Sequence, residues 1–326
     1  METNRIMEIL DNFKNKNILI IGDIMLDKYI YGDVDRISPE APVQVVNVKK
    51  EKYVLGGAAN VASNVASLGC KTSICGVIGK DEAGKILISC LEEKKINRDM
   101  VVTDKLKIST QKIRIVGQSQ QLLRIDYENT IYISPAVEEE IIKKLMEKIS
   151  LYDVIIISDY AKGTITNYIT ATIIKNNNKV IVDPKPKHKE FYKGAYLITP
   201  NLKEASAMSG IEGEDENSIS SIGQHLLEEM NSHILITCGA RGMYLFKKDR
   251  EFYRLPTKAK EVYDVTGAGD TVIATIASSL SSGATLREAS YIANYAAGIV
   301  VGKSGTASTA VEEIKNEIKY DKSRFS

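Results

Sequence analysis

Two rhythms of apolar and polar positions run along this chain. "NILIIGD" is an unbroken apolar run ending at Gly22, which predicts a strand over 17–21 buried on both faces. Similar runs recur in "KTSICGVIG", "DVIIISD", "KVIVDP", "AYLITP" and "HILITCG". Between them lie segments of helical period: "GGAANVASNVASLG" with Gly69 at its end, "DEAGKILISCLEEKKI", "PAVEEEIIKKLMEKIS", a stretch near 164–176, "NLKEASAMSG" and "SSIGQHLLEEM". "GMYLFKKDREFYRLP" reads as a hairpin. Strands alternating with helices predict an α/β fold with a mostly parallel central sheet and helices on both faces.

Two β-rich patches break the alternation. "YIYGDV" with "APVQVVNVKKEKYVL" and "ISTQKIRIVGQSQQLLRIDYENTIYIS" are partly alternating and rich in β-branched residues. Together, about 28–55 and 108–133, they predict a small antiparallel β lid on one domain spanning 1–326.

Composition narrows the chemistry. The 326 residues carry 43 basic and 42 acidic side chains, so net charge makes no case for nucleic acid or an anionic membrane. Cys70, Cys75, Cys90 and Cys238 form no CxxC pair, and 3 His residues leave little for a zinc centre. The start, "METNRIMEILDNF", is a charged amphipathic helix without a signal-peptide core. No run reaches the roughly 18 apolar residues of a membrane span. A cytoplasmic protein is expected.

"DVTGAGD" at 264–270 precedes a long helical run. Free N–H groups at Gly267, Ala268 and Gly269, with the positive end of that helix, suit an oxyanion or phosphate. Asp270 would repel that anion unless it accepts a proton from a hydroxyl attacking phosphorus. The plainer alternative is a turn and helix cap, with Asp264 structural. "GIVVGKS" at 298–304 has three residues between its glycines where a P-loop has four, and it follows a helix, so it is rejected.

Other polar groups gather at predicted strand ends, where open α/β sheets bind ligands. Asn201 and Glu204 in "NLKE" are either a capping box or ligands of Mg²⁺-bound water. Asp23 and Asp27 in "GDIMLD" suit sugar hydroxyls or a turn. Gly56 and Gly57 allow close backbone approach, and Asn60 is a ligand or a helix-face polar residue. "TCGARG" at 237–242 could lie along a nucleotide. "DPKPKH" brings Asp183, Lys185 and Lys187 to a further strand end, or is a turn with solvated lysines.

"GGAANVASNVASLG", "NLKE" and "DVTGAGDT", in that order, resemble the signatures of the ribokinase-like (PfkB-type) carbohydrate kinases over essentially the whole chain. The resemblance implies the three-layer ribokinase-like fold and ATP-dependent sugar phosphorylation. It implies Asp270 as base, Gly267, Ala268 and Gly269 as anion hole, and Asn201 and Glu204 serving Mg²⁺ with ATP. Thr237, Gly239, Gly242 and Asn294 fall at its nucleotide positions, and Asp27, Gly56, Gly57 and Asn60 at its sugar positions. Asp264, Thr266, Lys303, Gly305 and Ser308 fall where some members hold a monovalent cation such as K⁺.

"IGDIMLDKYIYGDVDRISPEAPVQVV", "SDYAKG", "LLRIDYE" and "GKSGTAS" resemble the subgroup acting on D-glycero-β-D-manno-heptose 7-phosphate, on the route to the ADP-heptose of lipopolysaccharide core. No HxGH-type nucleotidyltransferase motif is present, so no such domain is expected within these residues, and the chain is either a stand-alone kinase or the kinase half of a longer protein. A phosphorylated acceptor needs a second cationic pocket, for which Arg124, Lys162 and Lys185 are candidates. The family habit implies a homodimer through the lid. Rival readings are another sugar or nucleoside kinase, or a non-catalytic sugar or nucleotide sensor. A dinucleotide oxidoreductase is disfavoured because "GDIMLD", rather than G-x-G-x-x-G, follows the first strand.

Overall fold

The computed structural model describes residues 2–323 except 119, 260, 261, 304 and 306, so Ser304 and Thr306 of "GKSGTAS" lie outside the described residues. Its main sheet has nine strands in the order β13-β12-β11-β10-β9-β8-β1-β4-β5. These are β1 (Asn17–Gly22), β4 (Lys71–Gly79), β5 (Asn97–Asp104), β8 (Val154–Ser158), β9 (Val180–Asp183), β10 (Leu197–Ile198), β11 (His233–Thr237), β12 (Met243–Phe246) and β13 (Phe252–Leu255). All neighbours pair in parallel except β11–β12 and β12–β13, the predicted hairpin. The α/β architecture expected from the alternation is therefore present.

The period of two explains why the central strands read as solid apolar runs. Along β1, Ile18 and Ile20 face one core while Leu19 and Ile21 face the other, and all four are fully buried. The first core is closed by α1 (Thr3–Asp11), α2 (Ala58–Ser67), α3 (Glu82–Glu93), α8 (Ala268–Ser281), α9 (Leu286–Val301) and α10 (Val311–Ser323). The second is closed by α4 (Pro135–Lys148), α5 (Asn167–Asn176), α6 (Leu202–Ser209) and α7 (Glu216–Met230). Side-chain caps begin α4 and α9. Ser134 accepts from Val137 N with Pro135 behind it, and Thr285 forms a capping box with Glu288. Every α8 residue from Asp270 to Ser281 is buried; its Ala, Ser and Thr side chains let α2 and α9 pack close. Among the described residues no helix is long and apolar enough to cross a membrane.

The second sheet has the order β3-β2-β6-β7, from β2 (Ile24–Ile37), β3 (Gln44–Gly57), β6 (Thr110–Gly117) and β7 (Gln120–Tyr127). Two antiparallel pairs, β2–β3 and β6–β7, meet along a parallel β2–β6 seam. Only Asp23 separates β1 from β2, so Asp27 lies inside a strand of this sheet, whereas the sequence placed it at the end of β1. Residues 24–57 leave the main sheet and return to where they started, since Ala58 N donates to Asp23 O at 3.0 Å. β5 and α10 have no counterpart in the sequence reading. β5 is an edge strand whose "NRD" start is exposed, and α10 has a largely polar surface.

Candidate active site

Asp270 sits in the first turn of α8, behind Gly267, which caps the helix at φ +80°. Its carboxylate is buried and takes one donor on each oxygen. Asn60 Nδ2 donates to Oδ2 at 2.5 Å, and Tyr160 Oη donates to Oδ1 at 2.9 Å. Burial pushes the Asp270 carboxyl above the usual carboxylate range, against the pull of these two donors. Each oxygen retains a lone pair for an incoming hydroxyl. Burial, together with the charges of Asp270 and Asp183, raises the Tyr160 phenol well above its ordinary value. Tyr160 is therefore the donor of this pair and Asp270 the acceptor.

The N–H groups beside Asp270 are unequal. Ala268 N is spent on Val265 O at 3.2 Å, whereas among the described residues no backbone acceptor takes those of Gly267, Gly269 and Asp270. The anion hole predicted over Gly267–Gly269 is thus better drawn from Gly267, Gly269 and Asp270. Gly269 opens onto empty space: a Cβ added there would meet nothing within 4 Å.

A cavity of about 410 Å³ begins at this helix end, with Gly269, Thr237, Gly239, Gly242 and Asn294 in its wall. Most of the remaining wall is apolar, from Met243, Val265, Val272 and Val301. It suits a flat, weakly polar ring with phosphates directed toward Gly269. The Asn294 amide is committed to Pro256 O at 2.6 Å, which fixes the chain leaving β13. An adjoining cavity of about 470 Å³ is lined by Asn201, Lys203, Thr237, Gly239 and Arg241.

Asn201 and Glu204 do form the capping box of α6. Glu204 N donates to Asn201 Oδ1 at 3.0 Å and Asn201 N to Glu204 Oε2 at 3.1 Å. The box leaves Glu204 Oε1 to Lys185 Nζ. Burial works against the Lys185 charge, but Glu204 and the neighbouring carboxylates raise its affinity for the proton overall. Asp183 ends β9 with no side-chain hydrogen bond among the described residues. Burial pushes its carboxyl well above the ordinary range, and the charges of Asp270 and Glu204 add to the effect. The sequence placed Asp183 at a strand end or in a turn without giving it a role; its nearness to the charges of Asp270 and Glu204 is a product of the fold.

Asp27 faces Asp270 from β2, bound to Arg114 Nη1 at 2.5 Å. Gly56 lies against it: a Cβ there would meet Asp27 Oδ2 at 2.5 Å. Gly57 enters α2 at φ +56°, where a Cβ would meet Asp23 O at 2.5 Å. These two contacts account for the paired glycines.

Asp23 departs from its predicted role as a sugar ligand. Its oxygens accept the N–H groups of Tyr160 (2.9 Å), Lys162 (3.0 Å) and Thr164 (3.0 Å), so it braces the loop that carries Tyr160. The same loop holds Ala161 at φ +55°, its N–H taken by Asp159 Oδ1 at 2.6 Å. A left-handed residue with a Cβ costs roughly 1–2 kcal/mol, which this bracing offsets. Sequence reasoning assigned Tyr160 no role, because nothing local marks a tyrosine whose partner is 110 residues away.

The three cations proposed for a substrate phosphate already have partners. Arg124 on exposed β7 donates to Asp126 at 2.9 Å, Lys162 Nζ lies 2.6 Å from Glu128, and Lys185 holds Glu204. Around the suggested monovalent-cation loop, Asp264 accepts from Thr266 N at 2.9 Å and Gly305 N at 3.1 Å. Burial would raise its carboxyl, but these donors leave it below its ordinary value. Ser308 O is taken by Lys303 Nζ at 3.0 Å.

Comparison with known proteins bears on the family and the fold. The family model described as pfkB family carbohydrate kinase matches residues 15–313. The bifunctional protein HldE of Sulfurimonas denitrificans is 44% identical over 95% of this chain and 65% of its own length. That of Aliarcobacter butzleri is 46% identical over 92% and 64%, so the chain spans a little under two thirds of these relatives. Among solved structures, an Arabidopsis thaliana ribokinase complexed with ribose and ATP has a TM-score of 0.73 at 20% identity, covering 93% of this chain and 99% of its own. Phosphofructokinase-2 from Escherichia coli has a TM-score of 0.76 at 17% identity, covering 94% and 99%. These two likenesses are of fold. The chain belongs to the pfkB family of carbohydrate kinases.

Proposed function

We propose that this chain is an ATP-dependent kinase for the 1-hydroxyl of D-glycero-D-manno-heptose 7-phosphate, forming the 1,7-bisphosphate in the cytoplasm on the way to ADP-heptose. The observation that carries the reading is Asp270: a buried, doubly clamped carboxylate between an apolar cavity and the sugar-facing side of β2. The choice of heptose rests on the subgroup segments of the sequence and on 44–46% identity to the two HldE proteins across nearly the whole chain.

In this reading Asp270 takes the proton of the sugar hydroxyl as its oxygen bonds to the γ-phosphorus. The bond from that phosphorus to the β,γ-bridging oxygen breaks, ADP leaves with the electron pair, and the proton passes from Asp270 to water. Free N–H groups of Gly267 and Gly269 and the N-terminus of α8 stabilise charge on the transferring group. Asn60 and Tyr160 aim the base and favour its ionised form. Asp27 with Gly56 and Gly57 would accept and crowd the sugar hydroxyls, and the β2-β3-β6-β7 sheet would act as a lid that excludes water.

The residues present fit Mg²⁺ carried with ATP. Asp183 is an unpaired hard-oxygen donor beside Glu204 and Asn201, and among the described residues no cluster of three ligating side chains is close enough to hold an ion alone. Such an arrangement suits a cation bound partly by nucleotide phosphates and water, where it would neutralise their charge. A K⁺ ion would rest on Asp264, Thr266 and Gly305, with Ser308 already serving Lys303. The lid's outer face carries exposed Leu123, Ile125 and Tyr127, which support pairing of two copies.

ADP release from Mg-ATP tests the reading, with heptose 7-phosphate, ribose, fructose 6-phosphate and adenosine as acceptors. Turnover restricted to the heptose 7-phosphate supports it. Turnover with another acceptor alone keeps the kinase and discards the substrate, and ATP binding without turnover favours a sensor.

A further inference from the structure

A sugar phosphate brings about two negative charges to a site already holding Asp27, Asp183, Glu204 and Asp270. It needs a cation whose charge is not already answered. Arg114 is held by Asp27, Arg124 by Asp126, Lys162 by Glu128 and Lys185 by Glu204. Lys107 Nζ is spent on Lys162 O at 2.7 Å. Lys112 differs. It is half-buried on β6, and among the described residues no carboxylate lies within ion-pair distance of its ammonium.

Register places Lys112 on the inner face of the lid. It is the cross-strand partner of Asp27 on β2 and of Asp126 on β7. Alternation puts Asp27, Lys112 and Arg114 on one side of this sheet and Ile113, Ile115, Leu123 and Ile125 on the other. Its Nζ stands 5.9 Å from the centroid of the Tyr160 ring, the residue whose hydroxyl holds Asp270. An ammonium with no carboxylate partner among the described residues thus lies beside the ring of the tyrosine that holds Asp270.

We propose that Lys112 reads the phosphate of the acceptor and selects phosphorylated over plain sugars. This rests on the kinase reading above. The ammonium acts as a point charge with three donors, which suits a phosphate that turns within its pocket. The division of labour follows: the main domain performs the transfer, and the inner row of the lid recognises the far end of the sugar.

Kinetics with heptose 7-phosphate and plain heptose, a pair differing only in phosphate, test this on the wild type, Lys112→Met and Lys112→Arg. Lys112→Met is expected to raise KM for the phosphorylated acceptor about 10- to 100-fold, the loss of a hydrogen bond to a charged group. KM for plain heptose and for ATP should stay within about twofold, as for removal of a contact those ligands do not make. Lys112→Arg keeps the charge and should recover most of the loss. Equal weakening of both acceptors, or of neither, overturns the assignment. If the wild type phosphorylates neither heptose, the substrate reading falls, and calorimetry with ribose 5-phosphate, fructose 6-phosphate and mannose 6-phosphate decides Lys112 by itself. Sugar-phosphate binding that Lys112→Met abolishes upholds the subsite, and its absence or indifference to Lys112→Met overturns it.

Discussion

The two sheets of this molecule are built to opposite rules. Strand β8 is buried at every position, whereas β7 is exposed at every position. The main sheet gains its stability from two apolar cores and holds Asp183 and the loop carrying Tyr160 at its strand ends. The smaller sheet has little core, and charged or polar side chains occupy its inner face. In the proposed function the well-packed platform would fix the reacting groups, and the thinly stabilised flap would adapt to the acceptor.

Four experiments would break or sharpen that contrast. The largest effect is expected from Asp270→Asn, a fall in kcat of at least about 10²-fold. Its thermal midpoint should not fall. A carboxyl whose folded pKa is raised costs the folded state stability at pH values above that pKa, so removing the charge relieves the fold. Calorimetry beside steady-state kinetics checks both halves, and a large loss of stability would recast Asp270 as structural. Next, Ile156→Ala in the main sheet should cost about 2–5 kcal/mol in denaturant unfolding, against about 0.5 kcal/mol or less for Ile125→Ala in the lid. Equal losses would erase the distinction between platform and flap.

Tyr160→Phe should lower kcat about tenfold at neutral pH by removing a hydrogen bond to a charged group. The base must be ionised, so activity is lost as pH falls through its raised pKa. Without the phenol that pKa rises further, and the acidic limb of the pH–rate profile should move to higher pH. An unmoved limb would leave Tyr160 a packing residue. The smallest effect on the folded chain is expected for Leu123→Glu combined with Ile125→Lys, exposed substitutions that should shift the thermal midpoint by no more than a few degrees. Light scattering should nonetheless report less self-association; an unchanged mass would remove the lid from any dimer contact.

The same contrast explains what could be read in advance. Strands such as β1, β8 and β9 announce themselves, because burial on both faces demands unbroken apolar runs. The glycines and aspartates of "DVTGAGD" are equally local, since turn, helix start and carboxylate lie within seven residues. The role of Asp23 was not legible, as its three amide donors arrive from 137 to 141 residues away. Nor was Tyr160, whose hydroxyl matters only once α8 is laid beside the loop. The cations near the acceptor pocket misled for a related reason. Composition counts Lys162 and Lys185 as available charge, while the fold assigns each a carboxylate.

The hydrogen bond from Ala58 N to Asp23 O carries a consequence for descent. It closes the base of the excursion that forms β2 and β3, so the platform sees the same two ends however long that excursion becomes. Loop-closure entropy grows slowly with length, by about 0.6 kcal/mol per doubling. Lineages could therefore lengthen, trim or recombine this flap at little thermodynamic cost, changing the diet of the enzyme while inheriting its chemistry intact.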